Sequence, residues 1–131
     1  MDPELTALST LSTKLNLAKS IYEQGRESEA VVMLDDVLPR LRDAYPSNSW
    51  ELAIALQYYG SALTTVRRYE DAEGALRESF AIIEKGATRR RPEELQLIAE
   101  RLTTLYDAWH LVVPGQGYDT QAEEWRRRSV Q

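Results

Sequence analysis

His110 is the single histidine of a 131-residue chain without cysteine, so a zinc site of clustered imidazoles and thiolates has no ligand set. It follows Trp109 at the expected end of a helix, where a structural or surface role is anticipated. The carboxylate pairs Asp35-Asp36 and Glu93-Glu94 are adjacent in sequence. On a helix they point about 100° apart, the wrong geometry for a shared proton or a converging acid and base. They read as solvated faces and helix-start charges. Serine and threonine hydroxyls have no histidine placed to activate them. Gly115 and Gly117 follow a helix and a proline rather than a strand, with no lysine beside them, which argues against a phosphate loop. No enzyme, cofactor or metal is expected.

The arginines carry the remaining charged chemistry. Arg67-Arg68, Arg89-Arg90-Arg91 and Arg126-Arg127-Arg128 form three runs. Such runs can grip phosphate or acidic groups, and they support one alternative function, a phosphate- or nucleic-acid-binding regulator whose affinity would fall steeply with salt. The plainer reading is a solvated surface paired with the abundant glutamates. Net charge of −5 opposes non-specific attraction to nucleic acid or anionic lipid. Base stacking would call for aromatics interleaved with the basic groups, and beside the last run only Trp125 stands. Nucleic acid and membrane are therefore not the expected partners.

Six helices must position these groups. Leu8, Leu11, Leu15, Ala18 and Ile21 recur at steps of three or four and predict a first helix over about residues 4–24, ended by Gly25. Ala30, Leu34, Val37 and Leu41 predict a second, about 27–44, which Pro39 is expected to kink or shorten. Asn48 and Glu51 have capping-box spacing for a third, with Ala53, Leu56, Gly60 and Leu63 as its stripe. A fourth, about 70–86, carries Ala72, Leu76, Phe80 and Ile83 behind the acidic start Glu70-Asp71-Glu73 and stops at Gly86. Pro92 opens a fifth with Leu95, Ile98, Leu102, Leu105 and Trp109. Val112 to Gly117 breaks it, and Thr120 with Glu123 offers a second capping box for a short last helix to about residue 129.

A repeat underlies this order. Gly25-Arg26-Glu27-Ser28-Glu29-Ala30 is echoed by Arg67-Arg68-Tyr69-Glu70-Asp71-Ala72, and the two alanines stand 42 residues apart. Ala18 and Gly60 lie twelve positions before them, Leu34 and Leu76 four positions after. A period in this range points to stacked helical hairpins. Gly60 inside a helix costs about 1 kcal/mol relative to alanine, which makes sense if the helix bearing Ala72 approaches closely there. Ala72→Leu should then overpack the contact, with Glu73 as an exposed neighbour.

This arrangement resembles the tetratricopeptide repeat, in the longer form with extended helices found in kinesin light chains. Ala18, Ile21, Ala30 and Leu34 match its first unit, and Gly60, Leu63, Ala72 and Leu76 its second. A degenerate third unit runs from Arg101 through Trp109 to Trp125, with extra residues from Leu111 to Tyr118. Its Leu105-Tyr106-x-Ala108-Trp109 and Ala122-Glu123-x-Trp125 pieces are similar to the last repeat of tails on bacterial serine/threonine kinases and related regulators. The resemblance implies an all-α, right-handed superhelical solenoid of antiparallel helix pairs, with repeats at about 4–45, 48–86 and 92–130.

It also implies a concave groove lined by the first helix of each repeat. Carried over by position, the lining is Ser12, Leu15, Lys19, Tyr22 and Glu23, then Ile54, Gln57, Ser61, Thr64 and Thr65, then Leu97, Glu100, Thr104, Asp107 and Ala108. The family's best-known groove grips a terminal carboxylate with lysines, arginines and asparagines. Only Lys19 stands at such a place, so that ligand is not expected. Tyr22 serves either as the groove's aromatic anchor or as packing between repeats. The implied function is a protein-interaction module that binds a peptide segment of a partner or of its own parent chain.

Composition agrees with one helical domain over 1–131, since 43% hydrophobic residues suffice for a core. The absence of cysteine fits a reducing compartment, with cytoplasm as the default. The start, Met1-Asp2-Pro3-Glu4, shows no leader pattern, and no run of eighteen apolar residues predicts a membrane span. Arg126-Arg127-Arg128 give the last helix a polar finish that suits either a closing repeat or a piece of a longer protein. Self-assembly through this last hairpin, with an exposed Trp125, is a third reading.

Overall fold

The computed structural model describes residues 3–86 and 91–130, and the side chains of all of these except 4–8. The side chain of Leu8 and residues Arg89 and Arg90 thus lie outside the described residues. Six helices follow in order: α1 (Pro3–Glu23), α2 (Glu27–Ala44), α3 (Trp50–Thr65), α4 (Tyr69–Lys85), α5 (Arg91–Val112) and α6 (Tyr118–Ser129). The fold is all-α, built from helix hairpins. Each helix packs on the next in the chain, and α3 also rests on both α1 and α5. Buried side chains from all six helices join one apolar cluster, with Leu34, Leu52, Leu63, Leu76, Ile98 and Leu105 fully enclosed.

The two 42-residue echoes are two copies of one turn. Gly25 takes φ +79° and Arg67 takes φ +67°. The N–H of Gly25 donates to the Tyr22 carbonyl at 2.9 Å, and that of Arg26 to Ile21 at 3.1 Å. In the second turn Arg67 donates to Thr64 at 3.1 Å and Arg68 to Leu63 at 2.9 Å. This paired pattern closes a helix through one left-handed residue. Glycine occupies it without strain, whereas a side chain there costs about 1–2 kcal/mol, so Arg67 holds a conformation that its own backbone disfavours.

Small residues set the depth of the second hairpin. A Cβ on Gly60 would lie 2.5 Å from Cγ of Leu76 and 3.4 Å from the carbonyl oxygen of Ala72, so α3 and α4 meet more closely than any side chain permits. Beside this contact the buried Ser79 hydroxyl donates to the Ala53 carbonyl at 2.7 Å.

Four local expectations need correction. Ser49, not Asn48, caps α3, accepting from the Leu52 N–H at 3.2 Å. Pro39 does not shorten α2, which runs from Glu27 to Ala44. The last helix starts at Tyr118 behind Gly117 at φ +83°, ahead of the Thr120 box, because a left-handed glycine enters the helix directly. Glu73 is no bystander: its carboxylate accepts the hydroxyl of Tyr106 at 2.5 Å.

Candidate ligand groove

Because α3 touches both α1 and α5, the first helices of the three hairpins lie side by side, with α3 in the middle. That placement decides which residues of the resemblance-derived lining reach solvent. On α1, Ser12 and Glu23 are exposed, Lys19 and Tyr22 half-buried, and Leu15 is buried in the core. On α3, Ile54 is half-buried and Thr65 exposed, while Gln57, Ser61 and Thr64 are buried. On α5, Glu100, Thr104 and Asp107 are exposed, and Leu97 and Ala108 half-buried.

The hydroxyls of this row are committed to their own helices. Ser61 donates to the Gln57 carbonyl at 3.0 Å, Thr64 to Gly60 at 2.9 Å, Thr65 to Ser61 at 3.4 Å and Thr104 to Glu100 at 3.1 Å. Such back-bonding to the preceding turn satisfies the hydroxyl locally and leaves its lone pairs as the free function.

The side chains that converge are Lys19, Tyr22 and Glu23 from α1, Tyr58 from α3 and Arg101 from α5. The Tyr22 and Tyr58 rings meet edge to face, 5.5 Å between centroids at 83°. Arg101 Nη1 donates to Tyr22 Oη at 2.9 Å and its guanidinium carbon sits 5.7 Å from the Tyr22 ring centroid. Lys19 Nζ lies 5.5 Å from the centre of the Tyr58 ring, and Tyr58 Oη reaches Glu23 Oε1 at 3.5 Å. Burial, then the Glu23 carboxylate, holds the Tyr58 hydroxyl above its ordinary pKa. Tyr58 and Arg101 escaped the positional reading because each stands one residue past an expected groove position, Gln57 and Glu100. One step on a helix is about 100°, enough to turn the side chain from the core at Gln57, or from open solvent at Glu100, toward the shared face.

Elsewhere two of the arginine runs have members engaged within the chain. Arg126 pairs with Asp107 at 2.7 Å and Glu123 at 2.9 Å, and Arg127 with Glu123 at 3.9 Å. Arg128 lies over Trp125, 4.6 Å from the ring centroid. Arg68 pairs with Asp71 at 3.0 Å and Asp35 at 3.7 Å. Trp125, expected to be exposed, is buried against Phe80, with centroids 5.0 Å apart at 77°.

A second polar cluster is structural. Tyr106 is fully buried, and its hydroxyl accepts from Arg77 Nε at 3.0 Å and Nη2 at 2.8 Å while donating to Glu73. Burial and the Glu73 carboxylate raise its pKa above the tyrosine range, and burial with the Asp35 hydrogen bond pushes Tyr59 up to about 12. An unfolded tyrosine ionises near pH ~10. The folded chain therefore holds these protons where the unfolded chain has lost them, so their contribution is complete below about pH 10 and is lost as pH rises through the folded values. Thermal melts across this range should show a level midpoint up to about pH 10 and a decline beyond it, shallower in Tyr106→Phe. Equal slopes in the two proteins would remove Tyr106 from this account.

His110 is half-buried, with Nδ1 enclosed and no hydrogen-bond partner among the described residues. Asp36 lies between Lys14 at 3.9 Å and Arg40 at 3.4 Å, and Tyr59 donates to Asp35. Glu94, expected as a solvated helix-start charge, is instead buried. Among the described residues no group of histidine, aspartate and glutamate is placed to hold a metal ion, and no helix is long and apolar enough to cross a membrane.

Residues 10–51 match the tetratricopeptide repeat family. The match spans most of α1, all of α2 and the opening of α3, and includes Ala18, Ile21, Ala30 and Leu34. Comparison with curated proteins and with solved structures gives no match. This chain is thus a helical module with a tetratricopeptide-like repeat, a class that is generally non-catalytic.

Proposed function

We propose that the chain is a protein-interaction module whose ligand, a peptide segment of a partner or of a parent protein, lies along α1, α3 and α5. The observation that carries this reading is the convergence of Lys19, Tyr22, Tyr58 and Arg101 from three separate hairpins onto one face. Two half-buried tyrosines supply amphipathic contact area, and a preformed helical face keeps the ordering cost on the receptor side low. Neither Lys19 nor Arg101 has a carboxylate within ion-pair distance among the described residues, which favours a segment that carries acidic side chains. Ser12, Glu23, Ile54, Thr65, Glu100 and Thr104 form its rim. Leu15, Gln57, Ser61 and Thr64 act from beneath, by holding α3 between its neighbours. In this reading residues 1–131 form one right-handed superhelical unit, working in the cytoplasm.

The arginine-surface alternative is weakened by the internal pairing of Arg68, Arg126 and Arg127, and self-assembly through Trp125 by the burial of that ring. Peptides selected from a displayed library on this chain test the assignment. Affinity should fall about tenfold or more with Lys19→Ala or Ile54→Ala, the equivalent of about 1.4 kcal/mol, and should not respond to Arg127→Ala. Selected ligands that ignore the first two changes and lose affinity with the third would transfer the function to the arginine surface.

A further inference from the structure

The geometry points to a latch: the Tyr22–Arg101 hydrogen bond ties the first hairpin to the third across the second, and so sets how far the face formed by α1, α3 and α5 opens. Among the described residues α1 and α5 do not pack on each other; each rests on α3. Yet Arg101 of α5 reaches Tyr22 of α1, 79 positions away in sequence, at 2.9 Å. Arrays of repeats couple chiefly through adjacent units, so a bond between the first and third hairpins adds a constraint that their stacking does not provide.

The latch is built from three helices. Arg101 donates to Tyr22 while its guanidinium lies 5.7 Å from the ring centroid, and Tyr22 presses edge to face on Tyr58 of α3 at 5.5 Å. The Tyr58 hydroxyl reaches Glu23 of α1 at 3.5 Å, while Lys19 stands 5.5 Å from the centre of the Tyr58 ring and, among the described residues, makes no contact with α5. Arg101 is also incompletely satisfied. Its Nε is enclosed without a hydrogen-bond partner, and the phenol oxygen it holds is a neutral acceptor, weaker for a guanidinium than a carboxylate. The bond therefore holds the free chain closed and yields to a better acceptor. Closure is a property of this chain alone and stands whether or not the peptide reading is right.

The test uses the full chain without ligand. It has no cysteine, so Asn16→Cys and Thr104→Cys, both at exposed positions on α1 and α5, accept spin labels uniquely. Pulsed dipolar spectroscopy should give one narrow distance distribution in the parent. It should become about twice as wide and shift to longer distance in Tyr22→Phe and Arg101→Met, because hairpins one and three are then linked only through their neighbour. Lys19→Met, which removes a cation from the same cluster without touching α5, should leave the distribution narrow. Tyr22→Phe keeps the ring and its packing, so a folded protein is retained for the measurement, as a thermal melt on each sample will establish. A distribution unchanged in Tyr22→Phe and Arg101→Met overturns the latch, and so does equal broadening in Lys19→Met.

Discussion

Trp125→Ala is expected to lower stability by about 3–5 kcal/mol, the range for emptying a buried aromatic site. The indole is 6% exposed and meets Phe80 edge to face, with Arg128 and Arg77 over it at 4.6 and 5.6 Å. Besides this ring, α6 buries Ala122 and Ser129 and stacks the half-buried Tyr118 on Trp109 at 3.9 Å between centroids, so the indole is the largest side chain that the helix buries. Denaturant titration measures the loss, and hydrogen exchange should find it concentrated in α6. A loss below about 1 kcal/mol would mean that the twelve-residue helix is held by something other than its indole. Arg128→Ala, which strips the guanidinium and leaves the ring, should cost far less.

Two glycines inside adjacent helices should respond in opposite directions. Gly60→Leu forces a side chain into the space of Leu76, where even a Cβ would lie 2.5 Å from Cγ, and overpacking of this kind costs about 1–3 kcal/mol, occasionally more. A Cβ on Gly74 meets nothing within 4 Å, so Gly74→Ala should raise stability by about 1 kcal/mol through helix propensity alone. Thermal melts of the pair decide the matter. If both substitutions lowered the midpoint alike, the close approach of α3 and α4 at Gly60 would not explain why glycine stands there. Gly74 is also a better control than Glu73, whose carboxylate is bound to Tyr106.

The fold was legible where periodicity is long and punctuated. The first five helices were foreseen with an apolar stripe, since steps of three and four residues leave little choice of face, and the sixth from a capping box behind a helix breaker. The caps were less legible: Asn48 and Ser49 are both good cap residues, and which of them accepts the Leu52 amide depends on a backbone angle that residue type does not encode. Gly117 was visible as a helix breaker, yet it enters α6 as a left-handed cap. The site was legible only in part. Of the positions transferred from a repeat pattern, Lys19 and Tyr22 reach the surface shared by α1, α3 and α5, while the depth of the others was not legible. Gln57, Ser61 and Thr64 are buried because α3 is flanked on both sides, a fact of stacking that no local window contains. Arg101 was passed over because its partner is 79 positions away.

Packing of each helix chiefly on the next in the chain has a kinetic side. Contacts close in sequence need little loop closure, and chains dominated by them fold fast. Any of the three hairpins can serve as the nucleus, with the others condensing onto it, and loss of structure can begin at either end. The middle hairpin, buttressed by both neighbours, is then the last to open, which makes α3 the keystone of the chain in time as well as in space.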